Sequence, residues 1–130
     1  MKPQALWTLL LLTACVTEQE VVNGKARFAA DCASCHGAVG TGGNITFAPG
    51  VTAPDLTQLT AQNGGIFPRA AVMATIDGLN RPAHFAAAMP EFGAGDLGEA
   101  VVVELEPGIG TPTPIGLIAL ADYLDSIQAR

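Results

Sequence analysis

The sequence predicts a small, mainly α domain in which short helices are joined by long loops. Two observations carry that prediction. Leu117, Leu120, Ala121, Leu124 and Ile127 recur at three- and four-residue steps, the spacing of one helical face. Residues 37–67, by contrast, hold Gly37, Gly40, Gly42, Gly43, Gly50, Gly64 and Gly65 with Pro49 and Pro54, and these break every periodic pattern. The length, 130 residues, suits one small domain.

The first segment reads as an export signal. Met1-Lys2 is a short positive start, Ala5 to Leu12 is an apolar run, and Thr13-Ala14-Cys15 closes it with small residues. The run is too short for a membrane span, which needs about 20 apolar residues. Leu12-Thr13-Ala14-Cys15 also resembles the lipobox of bacterial lipoproteins. That resemblance implies cleavage before Cys15 and a lipid on its sulfur, whereas ordinary signal cleavage a few residues later would discard the cysteine. The expected organisation is a lipoprotein-type signal over 1–14, a tether over 15–22 and one folded domain over 23–130, anchored to a membrane through Cys15.

Within the domain, a first helix is expected from about Glu20 to Asp31, with Val21, Val22, Ala26, Phe28 and Ala29 as an imperfect apolar face. Gly24 weakens it, and a close contact with another helix would explain the residue. Pro68 is expected at the first position of a second helix that Gly78 ends, with Ala70, Val72, Met73 and Ile76 as its buried side. The last helix is expected after Thr113-Pro114, with Thr113 as N-cap. Residues 93–114 are expected to be a Gly/Pro-rich loop around one strand-like run, Val101 to Leu105.

Charge excludes one class of partner. The net charge is −6, and removal of residues 1–14 leaves Lys25, Arg27, Arg69, Arg81 and Arg130 against twelve acids, or −7. Phosphate recognition needs a basic patch and none is visible, so nucleic acid is not an expected partner. A basic protein partner is easier to accommodate.

The chemistry concentrates at Cys32-Ala33-Ser34-Cys35-His36. Two thiols on one helical turn can add across the two vinyl groups of a porphyrin edge, and the adjacent histidine can then meet the iron. A thioredoxin-like pair would need a βαβ setting that the flanks lack. A zinc site needs more ligands, and the only other histidine is His84. A disulfide between the two cysteines has the same spacing and is left open by spacing alone. The motif and the export signal agree on one covalently bound haem c.

The order Gly24, Phe28, Cys32-Ala33-Ser34-Cys35-His36-Gly37, Ala53-Pro54-Asp55-Leu56, Met89-Pro90 and Ala121-Asp122-Tyr123-Leu124 resembles the small single-haem class I cytochromes c. The resemblance spans most of residues 20–130. It implies a cytochrome c-like fold of short helices around the haem, with crossed first and last helices touching at Gly24. It also implies Phe28 and Tyr123 packed at the crossing. A proline carbonyl, Pro54 or in reserve Pro49, should accept a hydrogen bond from the outer N–H of the proximal His36.

The candidates for the sixth iron ligand are Met73, Met89 and His84. Met73 falls on an apolar helical face and suits the core. Met89 precedes Pro90 in an irregular segment, where the family places its ligating methionine, so His36 and Met89 are the expected iron ligands. Arg81 is weighed as a propionate partner or an ordinary exposed arginine. Phe92 to Thr113 departs from the family pattern as an extra stretch near Glu91, Asp96, Glu99, Glu104 and Glu106. It is read as a solvated acidic loop or as a docking surface that steers a basic redox partner.

The implied function is a one-electron carrier in the periplasm, not an enzyme in itself. Two alternatives remain: a haem c subunit of a larger oxidoreductase complex, and a ligand-binding haem enzyme or sensor with an open sixth site.

Overall fold

Asn23 opens the first helix: its side-chain oxygen accepts a hydrogen bond from the Ala26 N–H at 3.1 Å and so satisfies one of the first-turn donors that a helix leaves unpaired. The computed structural model describes residues 23–43, 45–48, 50–79, 81 and 88–129, with the backbone alone at 47 and 48. Helix α1 spans Gly24–Asp31 and α2 spans Ala33–His36. The helix thus starts at Gly24 and not near Glu20, because the asparagine cap fixes its first turn.

A short antiparallel pair follows, β1 (Thr46–Ala48) with β2 (Val51–Thr52). A 3-10 turn at Leu56–Gln58 leads into α3 (Leu59–Gln62). The segment read as mostly loop therefore carries four small elements. Helix α4 spans Arg69–Asp77, with Pro68 one position before it and not inside it. It ends where Gly78 turns left-handed at φ +107. Val72, Met73 and Ile76 are buried as expected, whereas Ala70 is exposed.

After a second 3-10 turn at Phe92–Ala94, the run Val101 to Leu105 forms a strand as expected, and the residues after it, expected to be loop, fold back as a second strand to make a hairpin. Strand β3 (Ala100–Glu106) pairs antiparallel with β4 (Ile109–Pro114), with an irregularity between Glu104 and Glu106. Leu105 packs against the core from one side of β3, while Val102 on the other side is 73% exposed.

The last helix, α5, spans Ile115–Ser126. Its start is not capped by Thr113, which lies in β4 and donates its hydroxyl to the Thr111 carbonyl at 3.1 Å. Instead the Ile115 N–H donates to the Glu99 carbonyl and the Gly116 N–H to the Leu97 carbonyl, at 2.9 and 2.8 Å. Backbone from the loop before the hairpin thus satisfies the first turn.

Helices α1 and α5 pack at a point with no room for a side chain. A Cβ on Gly24 would stand 2.0 Å from the Ala119 carbonyl oxygen, so only glycine permits this approach. One turn on, Phe28 is 1% exposed and its ring lies 5.1 Å from that of Tyr123 at a 48° tilt. Tilted aromatic pairs of this kind add to the stabilisation from burial. Phe28, Met73, Leu117, Leu120, Ala121 and Leu124 form the body of the core, and Leu97 closes it beneath the hairpin.

Candidate functional site

Cys32 lies between α1 and α2 without breaking the helical path. Its N–H donates to the Phe28 carbonyl at 2.9 Å, and its own carbonyl accepts from the Cys35 and His36 N–H groups. Three residues apart along such a turn, Cys32 and Cys35 fall on one face. No disulfide joins them. The turn after His36 is fixed by the Gly42 N–H, which donates to the His36 carbonyl at 3.0 Å. Gly43 presses so closely on the motif that a Cβ would lie 1.9 Å from the Cys35 carbonyl oxygen.

His36 is only 8% exposed, and its Nδ1 lies 3.1 Å from the Pro54 carbonyl oxygen. A carbonyl only accepts, so Nδ1 carries a proton, and in the neutral ring Nε2 then keeps its lone pair. Pro54 is held by its neighbours. The Asp55 carboxylate accepts from the Thr57 N–H and hydroxyl at 2.8 and 2.6 Å, and the Leu56 N–H donates to the Gly40 carbonyl at 2.7 Å.

Cys32, Cys35, His36, Pro54 and Met89 all line one cavity of about 280 Å³. Its other walls are largely apolar: Phe28 from α1, Leu59 from α3, Val72 and Ile76 from α4, Leu120 and Leu124 from α5, and Phe92. Met73 is 3% exposed in the core and does not line the cavity. His84, Pro49 and Cys15, with the expected signal and tether, lie outside the described residues. Among the described residues no cluster of three His, Cys, Asp or Glu could hold a metal ion unaided, and no helix is long and apolar enough to cross a membrane.

Burial pushes the Cys32 thiol from 9.0 up to about 11, with Asp31 and Cys35 adding to the rise and Arg27 opposing it. An anionic sulfur is disfavoured there; a neutral one is not.

Arg81 is not an exposed arginine, and its donors face backbone. Nε donates to the Thr75 carbonyl at 2.8 Å, and Nη2 to the carbonyls of Ile76 and Pro90 at 3.2 and 2.5 Å. Nη1 donates to the Met89 carbonyl. The sequence carried one weak signal for this, a basic residue just past a helix C-terminus. The extra acidic stretch reaches the cavity only through Phe92, and the hairpin contributes nothing to the lining.

A family model described as cytochrome c oxidase, cbb3-type, subunit III matches residues 19–105. The chain belongs to this family. It is a c-type cytochrome domain that carries covalently bound haem c with its iron, and its helices fit a cytochrome c-like fold. Its role is electron transfer. The match ends inside β3, so β4 and α5 lie beyond it. No curated protein and no solved structure gives a significant match. The cavity fits the group on its own terms: two sulfurs on one face, an imidazole with a free ring nitrogen, a thioether and apolar walls.

Proposed function

We propose that the chain is a one-electron carrier in which Cys32 and Cys35 hold one porphyrin by thioether bonds and His36 and Met89 fill the two axial positions of its iron. The observation that carries the proposal is the meeting of these residues in a single apolar cavity, with the His36 ring oriented by Pro54. The haem, when bound, supplies an iron that accepts and returns one electron.

The protein's residues do the rest. A thioether sulfur bears no charge, which suits the burial that keeps the Cys32 thiol protonated. The Pro54 carbonyl fixes the tautomer and orientation of His36 and raises the basicity of the nitrogen left free. The soft sulfur of Met89 favours the reduced metal. The side chains of Phe28, Leu59, Ile76 and Leu124 exclude water, so the added positive charge of the oxidised state is poorly solvated and the potential rises.

Membership in a family of exported domains supports a periplasmic site of action, and Cys15 supplies the membrane anchor. The redox partner presents a basic face to a chain of net charge −6. A second reading, a haem c subunit within a larger oxidase complex, is favoured by the description of the matching family. The test is a visible spectrum of the export-matured protein, oxidised and reduced, followed by carbon monoxide. A carrier with both axial positions filled resists carbon monoxide; rapid binding by the reduced protein makes it a ligand-binding haem protein instead.

A further inference from the structure

We infer that Arg81 is the positioning residue for Met89: its guanidinium ties the methionine loop to the end of α4 and sets how firmly the thioether stays on the iron. The inference rests on the reading of Met89 as an axial ligand.

Arg81 donates to four backbone carbonyls that belong to two separate segments. Thr75 and Ile76 lie in the last turn of α4, whose carbonyls have no partner within the helix. Met89 and Pro90 lie in the loop that returns to the cavity. A cation at a helix C-terminus is favoured by the aligned peptide dipoles, so the site on α4 attracts the guanidinium by itself. Because the fork of donors is planar and rigid, occupying Thr75 and Ile76 on one side fixes where its other side can meet Met89 and Pro90. No acid is within ion-pairing distance of Arg81 among the described residues, so its charge is stabilised by carbonyls and not by a carboxylate.

The chain just beyond Met89 is pressed against the same helix end. A Cβ on Gly93 would lie 2.1 Å from the Asp77 carboxylate and 2.5 Å from its carbonyl oxygen. The loop is therefore held on both sides of Pro90, by the guanidinium before it and by close backbone approach after it. Met89 itself is only partly buried against the core. Without Arg81 the carbonyls of Met89 and Pro90 lose their partner and the loop opens more often. The positive charge of Arg81 near the ligand also disfavours the oxidised iron, so the potential falls when it is removed.

The experiment uses haem-loaded protein with Arg81→Gln, Arg81→Lys and, as a control, Arg69→Gln. Arg69 pairs with Asp122 at 2.5 Å and touches neither Met89 nor the cavity. Loss of charge-assisted hydrogen bonds raises the population of the open loop about tenfold or more. Arg81→Gln is therefore expected to bind carbon monoxide in the reduced state about tenfold faster or more than the wild type. It should also have a lower potential and a weakened sulfur-to-iron band in the near infrared. Arg81→Lys keeps the charge without the fork and falls between, while Arg69→Gln matches the wild type.

A folded Arg81→Gln protein with the wild-type band, potential and carbon monoxide rate overturns the inference. If that variant does not fold, the same comparison on Arg81→Lys decides. A wild-type protein that lacks the band overturns the Met89 reading first and this inference with it.

Discussion

The Nδ1 atom of His36 lies 3.1 Å from the carbonyl oxygen of Pro54, eighteen residues further along the chain. That contact turns a short sequence motif into a directed ligand, because it leaves a single ring nitrogen with a lone pair. It also explains why the chain is tied at Gly40 and Gly42 before Pro54 and at Asp55 after it, since any drift of Pro54 would free the imidazole.

Met89→Ala removes the proposed sulfur ligand while leaving the attachment motif untouched. The expected outcome is loss of the near-infrared sulfur-to-iron band and rapid binding of carbon monoxide by the reduced protein. The potential should fall by an amount on the order of 0.2 V, since axial ligands are a main determinant of haem potential. Spectra and a redox titration of the purified variant check this. An unchanged band removes Met89 as the ligand.

Gly24→Ala tests the crossing of α1 and α5. The new methyl would stand 2.0 Å from the Ala119 carbonyl oxygen and 3.1 Å from the Tyr123 Cβ. Backbone on the far side cannot yield cheaply, so the expected loss of stability is about 3 kcal/mol or more. The urea midpoint of the haem-loaded protein measures it.

Cys32 predicts a pH dependence that haem attachment should abolish. In the folded haem-free chain the thiol keeps its proton up to about 11, whereas an ordinary thiol loses it near 9.0. Between those values the unfolded chain binds fewer protons than the folded one, so stability falls as pH rises through that window and is untouched below it. Urea titrations at neutral and alkaline pH should show this loss for the haem-free chain and not for its Cys32→Ala variant. The haem-loaded protein should resemble the variant, because a thioether does not titrate.

The Pro54 contact to His36 and the Gly24 crossing were legible in the sequence because each sits in a fixed order along the chain, and Cys32, Cys35 and Met89, which the same order singles out, line one cavity with His36. The strand run at Val101 to Leu105 was legible too, but its hairpin partner was not. Strand β4 carries Pro112 and Pro114, which read as loop residues, yet they pair with Val102 and Ala100 two positions apart. One side of the strand therefore carries both missing N–H groups, and a two-stranded edge tolerates that. The cap of α5 is illegible in the sequence for a related reason. The carbonyls of Leu97 and Glu99 do the work expected of Thr113, and no sequence spacing announces a cap supplied by distant backbone. Arg81 was hidden in the same way, since only the fold brings the ends of α4 and of the methionine loop to one guanidinium.

Cys15→Ser tests the anchor. The full chain expressed in a lipoprotein-competent bacterium should fractionate with membranes, and the variant should move to the soluble periplasmic fraction with its pigment intact. Equal membrane association of both proteins argues against lipid on Cys15.

The most direct measurement is the intact mass of the denatured, export-matured protein, made in cells that can attach haem, beside that of a Cys32→Ala, Cys35→Ala double variant. The wild type should keep its colour through denaturation and weigh one haem more than its amino acids and any lipid, while the double variant should lose both colour and added mass. A colourless wild-type chain with the mass of polypeptide and lipid alone would contradict the account.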